Sequence, residues 1–206
     1  MLLAMKRTTV LLVGYMAGSI PFANMASRRA RGVDLREVGS GTVSGTALYR
    51  VAGFTPLAVA GVLDVTKGAV GPLLAGRKRP VLAAVAGGAA VAGHNWSPWL
   101  GGAGGRGIAP ALGSLLVTAP PGVVVLAAGL IAGRFSRQTG LGSFVALAAL
   151  APVLARTNGR RGAIAGTCIA MPMVAKRLAG NRPAQGDDRR GVYVNRLLFD
   201  NDGEAA

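Results

Sequence analysis

The sequence has little of what a disulfide scaffold, a structural zinc site or an ordinary water-soluble domain requires. It contains one cysteine, Cys168, and one histidine, His94, which excludes a disulfide framework and a Cys/His zinc site. Charged residues make up 15% of the 206 residues, against roughly a quarter in soluble domains. The hydrophobic fraction of 51% excludes a disordered chain. The class that remains is a membrane protein.

The positive charge does not indicate a nucleic-acid partner. The formal net charge is +15, but nucleic-acid-binding proteins carry their basic residues on a polar surface that this chain lacks. We therefore expect the chain to bind membrane lipids and no nucleic acid.

Long uncharged runs predict the membrane spans, because a helix that crosses the hydrocarbon core needs about 20 mainly apolar residues. Such runs cover residues 8–27, 51–63, 80–105, 107–133, 138–155 and 162–175. The second continues through Asp64 and Lys67 to Gly76, and Pro120 with Pro121 divides the fourth. The sequence therefore predicts an all-α, polytopic integral membrane protein with about seven short transmembrane helices within residues 1–180.

The distribution of lysine and arginine predicts the orientation of these helices. Loops on the cytoplasmic side carry the excess of basic residues, which places the N-terminus outside and the C-terminus in the cytoplasm. Residues 181–206 are polar and are predicted to form a disordered cytoplasmic tail. The alternative for Val192–Phe199, the apolar part of this tail, is an interfacial helix.

A charged pair interrupts the second span. Asp64 and Lys67 are spaced i,i+3, so they lie on one face of a helix and can neutralise each other in a medium where an isolated charge is costly. We interpret them as a structural ion pair.

Residues 36–50 contain glycines and hydroxyls without a helical or strand period. This pattern, around Gly39, Ser40 and Gly41, predicts a loop whose backbone N–H groups are available to an anion. Arg50 at its end suits phosphate. A solvated connector is the alternative.

A second glycine-rich segment, residues 101–107, precedes an apolar run. It satisfies G-x-G-x-x-G, but no Asp or Glu occurs between Asp64 and Asp187, so a dinucleotide site is excluded. Glycine backbone at a helix N-terminus beside Arg106 still suits a phosphate, and a flexible turn is the alternative. His94 is a candidate hydrogen-bond donor or base, or simply a packing residue.

Taken in order, these motifs resemble the bacterial acyl-phosphate:glycerol-3-phosphate acyltransferases, the PlsY family. The resemblance rests on Gly18–Phe22, Gly39–Gly41 with Arg50, Leu63–Gly68, Gly93-His94, Gly104–Gly107 and Leu141–Ser143.

The resemblance implies a multi-pass cell-membrane enzyme that transfers a fatty acyl group from acyl phosphate to the 1-hydroxyl of glycerol 3-phosphate. The product is lysophosphatidic acid for phospholipid synthesis, and no cofactor or metal is implied. Ser40 and Arg50 correspond to catalytic residues and His94 to a candidate substrate-positioning residue. The residues that correspond to the phosphate site are Gly104, Gly105, Arg106, Gly107 and Ser143.

Some positions depart from the family pattern, which usually has asparagines at Thr42 and Ala47, a lysine at Ala103 and a threonine at Pro110. In its last motif, a histidine, an asparagine and a glutamate are replaced by Ala170, Met173 and Arg182. These departures support an alternative function, a catalytically impaired member that acts as a lipid- or phosphate-binding membrane scaffold. A small-solute transporter would fit the span number, but the sequence shows no inverted repeat.

Overall fold

The computed structural model describes residues 5–184 and 189–201, which form α-helices, short 3₁₀ turns and loops and contain no strand. The prediction of an all-helical chain is confirmed for these residues. The 3₁₀ turns are Leu35–Glu37 and Pro98–Leu100. The α-helices are α1 Arg7–Ser19, α2 Phe22–Arg31, α3 Gly45–Ala52, α4 Phe54–Ala75, α5 Pro80–Asn95, α6 Ile108–Thr118, α7 Pro121–Phe135, α8 Thr139–Ala179 and α9 Arg189–Phe199.

Helix α8 consists of two antiparallel arms joined at Gly159. The backbone of Gly159 has φ +61° and ψ −152°, outside the helical region, which glycine adopts without a steric cost. Beyond it the chain turns back, so that Arg177 near the end of α8 donates a hydrogen bond to the carbonyl oxygen of Gly140 near its start, at 3.1 Å. The arms comprise residues 139–158 and 160–179.

Every predicted span overlaps a helix or an arm of α8. Three segments are long and apolar enough to cross a membrane by length and composition, namely Arg7–Arg31, Phe54–Ala75 and Thr139–Ala179. The shorter apolar helices Ile108–Thr118 and Pro121–Phe135 correspond to the two parts of the divided fourth run, and α5 lies within the predicted span of residues 80–105. The first segment bends at Ile20 and Pro21, between α1 and α2, because proline lacks the N–H that a continuous helix would use.

Glycines allow the helices to approach closely. A Cβ atom at Gly18 in α1 would lie 2.0 Å from the carbonyl oxygen of Ala90 in α5, and one at Gly68 in α4 would lie 2.1 Å from that of Pro110 in α6. Helices in membranes associate through such small residues, because lipid provides no hydrophobic driving force between them.

The chain folds back and forth between two ends of the bundle. At one end, the backbone N–H of Val43 donates to the carbonyl oxygen of Gly104 at 3.1 Å, which brings the segment before α3 beside the segment before α6. At the other end, Arg79 donates to the carbonyl oxygen of Met5 at 2.8 Å, close to where α4 ends and α5 begins. We call these the loop end and the opposite end.

The loop predicted over residues 36–50 is partly helical. The Ser44 side chain accepts a hydrogen bond from the backbone N–H of Ala47 and so caps α3, as serine does at helix N-termini. Leu48 anchors α3 because its side chain is fully buried. Gly53, with φ +82°, separates α3 from α4, so α4 begins at Phe54 rather than at Val51.

The tail also differs from its prediction. Residues 189–199 form helix α9 instead of a disordered segment, so the alternative for Val192–Phe199 agrees with the structure in being helical. Arg196 is only 2% exposed and donates to the carbonyl oxygens of Leu178, Ala179 and Arg182. Arg196 contacts backbone carbonyl oxygens that a helix leaves unpaired at its C-terminus. Every residue has such a carbonyl, so amino-acid composition could not predict this contact. The rest of the predicted tail, residues 185–188 and 202–206, lies outside the described residues.

Candidate active site

Two loops lie side by side at the loop end. We call residues 38–44 the hydroxyl loop and residues 101–107 the glycine loop. Val43 in the hydroxyl loop bonds Gly104 in the glycine loop through their backbones. The glycine loop is also held against the end of α5, because the N–H of Gly105 donates to the carbonyl oxygen of His94 at 3.2 Å. The segments singled out by their composition are therefore neighbours.

Asn181 fastens the two loops together. Its amide nitrogen donates to the carbonyl oxygen of Gly104 at 2.9 Å and to the hydroxyl of Thr42 at 3.4 Å. Its amide oxygen accepts from the N–H of Gly104 at 3.1 Å. No motif in the sequence singled out Asn181. The one local sequence feature that could have indicated it is its position directly after Gly180, the glycine that ends α8 with φ +65°.

The glycine loop is packed so tightly at Gly104 and Gly105 that larger residues do not fit there. A Cβ atom at Gly104 would lie 2.3 Å from the carbonyl oxygen of His94, and one at Gly105 would lie 2.3 Å from Nε2 of His94. The N–H groups of Gly104 and Gly105 donate to Asn181 and His94 within the protein. These two residues therefore shape the loop rather than offering free amides, which differs from the expectation that their amides hold phosphate.

Gly107 remains at a position suited to an anion. It has φ +80° and is the N-cap of α6, and no side chain caps that helix. The first N–H groups of a helix have no partner within it and carry the positive end of its dipole. The start of α6, rather than the whole glycine loop, is thus the part suited to phosphate.

Arg106 lies between the glycine loop and the C-terminal segment. Its Nε atom is 2.7 Å from Oδ1 of Asp200, and its Nη1 donates to the carbonyl oxygen of Lys176 at 3.0 Å. The side chain is 12% exposed. The guanidinium predicted to bind phosphate is therefore paired with a carboxylate of the protein itself.

Further basic groups line the end of α8 beside Arg106. The Lys176 ammonium donates to the carbonyl oxygen of Gly102 at 3.4 Å and lies over the ring of Trp96, 5.4 Å from its centroid. Arg177 donates to the hydroxyl of Ser143. No sequence pattern distinguished either residue, because both follow an apolar run as ordinary helix-terminal basic residues do.

The predicted residues Ser40 and Arg50 are both exposed. The Ser40 hydroxyl is 3.0 Å from that of Thr42, which also contacts Asn181. Arg50 lies in the last turn of α3, and we find no hydrogen bond or ion pair for it within residues 5–184 and 189–201.

Ser143, in contrast, is buried and already bonded. Its hydroxyl donates to the carbonyl oxygens of Thr139 and Gly140 at 2.8 and 3.0 Å and accepts from Arg177. The structure thus brings Ser143 to Arg177, and within the described part of the chain Ser143 makes no hydrogen bond to Ser40 or Arg50.

His94 joins the predicted ion pair. The Lys67 ammonium lies 2.6 Å from Oδ1 of Asp64, which confirms that pair, and it donates to the carbonyl oxygen of Ile20 at the bend after α1. Nδ1 of His94 is 3.9 Å from the same carboxylate oxygen of Asp64. A small cavity adjoins His94, Gly105 and Ile20. His94 thus connects a charged pair between helices with the glycine loop.

Asp34 organises the segment that leads into the hydroxyl loop. Its carboxylate accepts hydrogen bonds from Arg28 at 2.6 Å and from Arg36 at 2.7 Å. The hydrogen bonds from the Arg36 side chain are the main reason that the pKa of Asp34 lies well below its usual 3.8, although burial opposes this shift. The same pairing raises the pKa of Arg36.

The described residues contain no cluster of three or more His, Cys, Asp or Glu side chains that could hold a metal ion. The groups gathered at this site are guanidinium groups, hydroxyls, an amide and a helix N-terminus. Such groups bind and orient anions.

Comparison with known proteins gives consistent matches. A family model described as Glycerol-3-phosphate acyltransferase matches residues 8–182. A protein of that name from Synechococcus sp. (strain CC9902) is 38% identical over 190 residues, which cover 86% of this chain and 94% of the relative. Another, from Myxococcus xanthus (strain DK1622), is 43% identical over 143 residues, covering 68% and 74%.

The fold is similar to that of a solved membrane protein. The crystal structure of PlsY, an integral membrane glycerol 3-phosphate acyltransferase, in its glycerol 3-phosphate form superposes with a TM-score of 0.77 at 24% identity, covering 97% of this chain and 96% of that one. Its lysophosphatidic acid form gives a TM-score of 0.71 at 23% identity, covering 83% and 87%. At these identities the likeness shows a shared fold.

Proposed function

Since the chain belongs to the glycerol-3-phosphate acyltransferase family, we propose that it is a membrane enzyme that acylates glycerol 3-phosphate. The acyl donor is an acyl phosphate, the acceptor is the 1-hydroxyl, and the product is lysophosphatidic acid for phospholipid synthesis. The observation that carries this proposal is the contact between the hydroxyl loop and the glycine loop through Asn181, beside Arg106.

The reaction needs alignment and charge compensation more than a strong base. The hydroxyl oxygen attacks the acyl carbonyl carbon, the ester C–O bond forms, and the C–O bond to phosphate breaks. The hydroxyl proton passes to the departing phosphate, which leaves as hydrogen phosphate. Both substrates carry phosphate, so holding them together requires cationic groups that offset their repulsion and favour the departing charge.

The exposed residues are assigned to the substrates. Ser40 donates a hydrogen bond, and Arg50 pairs with one phosphate from the side of α3. Arg106 and the start of α6 at Gly107 hold the other phosphate. This division follows from position, since Ser40 and Arg50 are open to solvent, whereas Arg106 is mostly buried and directly precedes the start of α6.

The buried residues are assigned to positioning. Gly104 and Gly105 give the loop its shape, and His94 packs against Gly105. Ser143 orients Arg177. For Gly104, Gly105 and Ser143, these roles follow from hydrogen bonds that already occupy their polar atoms.

We assign seven spans in the cell membrane, formed by α1 with α2, by α4, α5, α6 and α7, and by the two arms of α8. The N-terminus is outside and the loop end faces the cytoplasm, so the site meets soluble glycerol 3-phosphate. Residues 1–180 form the transmembrane domain and residues 181–206 the cytoplasmic tail. The alternation of connections between the two ends of the bundle supports this arrangement.

A membrane scaffold without turnover is the second candidate function. The observation that favours it is the pairing of Arg106 with Asp200, together with Ala170 and Met173 at positions where the family motif is polar. A scaffold would bind phosphate or lipid and form no lysophosphatidic acid.

The test measures product formation by purified protein in lipid nanodiscs, with palmitoyl phosphate and labelled glycerol 3-phosphate. We expect labelled lysophosphatidic acid and an equal amount of released phosphate. Arg106→Gln should lower kcat/KM by about 10- to 100-fold, the value of one hydrogen-bonded charge pair, and Arg106→Lys should retain more. Arg156→Gln, an exposed arginine in the first arm of α8 near the opposite end, is the matched control.

Two further variants test the site assignment. Ser40→Ala and Arg50→Ala should abolish product formation, and full activity in both would refute their assigned roles. Well-folded wild-type protein that binds glycerol 3-phosphate and forms no product would favour the scaffold.

A further inference from the structure

A second cavity lies at the opposite end of the bundle, away from the proposed active site. It measures about 670 Å³, within the range of 300–1,000 Å³ typical of small-molecule sites. Its walls come from the end of α4, the start of α5, the end of α6 and the turn of α8. The lining combines apolar residues with the polar side chains of Arg77, Arg161, Asn158 and Thr118.

The two arginines of this cavity are available to an anion. Both are exposed, and within the described residues we find no ion pair or hydrogen bond for either. Arg79 behaves differently, because its guanidinium donates to the carbonyl oxygens of Ala75, Met5 and Leu74. Arg79 therefore stabilises the packing at this end through its hydrogen bonds. In the described part of the chain, Arg77 and Arg161 make no such contribution.

Carboxylates do not compensate these charges. Residues 1–33 and 65–186 contain no Asp or Glu, and the connections at the opposite end all fall within these ranges. The described part of the chain therefore supplies no carboxylate at this end.

The apolar part of the lining is exposed at the surface of the helix bundle. Leu73 is 64% exposed and Leu116 is 54% exposed, and both line the cavity. A soluble anion would gain nothing from these side chains, whereas an acyl chain would bury them. We propose that this cavity binds an anionic phospholipid, with its phosphate between Arg77 and Arg161 and an acyl chain along Leu73 and Leu116.

Native mass spectrometry of the full chain tests this site by counting lipids retained after release from nanodiscs. The nanodiscs contain phosphatidylcholine with or without phosphatidylglycerol. We expect selective retention of phosphatidylglycerol, reduced about ten-fold or more by Arg77→Gln/Arg161→Gln. Lys78→Gln/Arg160→Gln removes the same charge from exposed neighbours outside the lining and should leave retention close to that of the wild type.

Equal losses in both double variants would mean a diffuse charge effect and would overturn the site. Displacement of the lipid by millimolar inorganic phosphate would identify a soluble-anion site instead. If the cavity variant does not fold, wild-type protein that retains phosphatidylcholine and phosphatidylglycerol equally overturns the proposal by itself.

An independent observation concerns the C-terminal segment. The carbonyl oxygen of Leu197 in α9 accepts from Arg177 at 2.8 Å, and Arg196 is bonded to the end of α8. These contacts hold α9 where the next residues reach the glycine loop. There the Asp200 carboxylate is 2.7 Å from Arg106, at the position that the proposed function gives to a substrate phosphate.

We infer that Asp200 is an internal competitor for that phosphate, an inference that rests on the proposed function of Arg106. A carboxylate and a phosphate oxygen are both anionic hydrogen-bond acceptors for a guanidinium. Substrate must displace Asp200 before it binds, so the C-terminal segment restrains the enzyme until substrate is abundant.

Isothermal titration of glycerol 3-phosphate into the full chain tests this inference without requiring turnover. Asp200→Asn should bind about five-fold more tightly than the wild type, the effect of one partly exposed ion pair, and Asp200→Glu should bind like the wild type. Glu37→Gln, an exposed acidic residue at the same end, is the charge-matched control and should leave affinity unchanged.

Unchanged or weaker binding by Asp200→Asn would overturn the competition. If Glu37→Gln increased the affinity for glycerol 3-phosphate more than Asp200→Asn does, the increase would be an effect of net charge and not of competition at Arg106. Absence of product from all variants, with tighter binding by Asp200→Asn, would refute the acyltransferase reaction while the competition stands.

Discussion

Replacing Asn181 with alanine should separate the hydroxyl loop from the glycine loop and weaken catalysis without unfolding the bundle. The side chain makes two hydrogen bonds to the backbone of Gly104, at 2.9 and 3.1 Å, and a longer one to Thr42 at 3.4 Å. A typical hydrogen bond contributes about 1 kcal/mol net. Losing the two shorter bonds therefore costs about 2 kcal/mol of loop ordering, or about 30-fold in the population of the ordered site.

The assay is lysophosphatidic acid formation from palmitoyl phosphate and labelled glycerol 3-phosphate. We expect kcat/KM to fall by about 30-fold for Asn181→Ala, because a disordered site reduces the fraction of competent enzyme. The melting temperature should change little, since Asn181 lies beyond the end of α8 and outside the helix contacts.

A second variant separates the two kinds of bond. Asn181→Asp keeps an acceptor for the N–H of Gly104 but places a carboxylate against the carbonyl oxygen of Gly104, so its activity should fall at least as far. Wild-type kinetics in Asn181→Ala would refute the reasoning, because the two loops would then not need each other for turnover.

Three other sets of substitutions test the fold. Asp34→Asn should lower the melting temperature at neutral pH, and its difference from the wild type should shrink as pH falls below 3.8, since the depressed pKa of Asp34 gives stability that protonation removes. Gly68→Ala should destabilise by about 1–3 kcal/mol through overpacking, whereas Gly61→Ala in the same helix has open space and should stabilise slightly. Lys67→Met should cost about 3–5 kcal/mol by leaving a buried carboxylate unpaired, and Asp64→Asn/Lys67→Met should recover most of it.

Thermal unfolding in detergent, followed by tryptophan fluorescence, measures all three. A pH-independent difference for Asp34→Asn would contradict the assigned pairing with arginine. Similar melting temperatures for the two glycine variants would contradict the close crossing of α4 and α6. A double variant as unstable as Lys67→Met would mean that the pair has a role beyond charge neutralisation.

Local sequence patterns predicted much of the fold. Uncharged runs located the helical segments because a membrane requires apolar residues along the whole length of a span. The i,i+3 spacing predicted the contact of Asp64 with Lys67, since helix geometry alone brings such residues together. The serine cap of α3 was missed, although Ser44 precedes it directly, because glycines and hydroxyls are equally typical of loops.

The site was only partly accessible from sequence. Composition selected the hydroxyl loop and the glycine loop, since glycine at a positive φ and close packing leave a mark on the sequence. Asn181, which connects the two loops, and Asp200, which pairs with Arg106, are not marked by any comparable sequence pattern. Asn181 is one asparagine among other polar residues of the tail, and Asp200 lies in a segment whose composition predicts disorder.

The amino-acid sequence by itself determined that this is a helical membrane protein of the glycerol-3-phosphate acyltransferase family, because hydropathy and glycine motifs act over short stretches of chain. Only the tertiary structure decided which polar groups are free. Arg106 reaches Asp200, Ser143 is bonded to Arg177, and the amides of Gly104 and Gly105 are already paired. Hydrogen bonding depends on distances between residues far apart in the chain, and these distances exist only once the helices have packed.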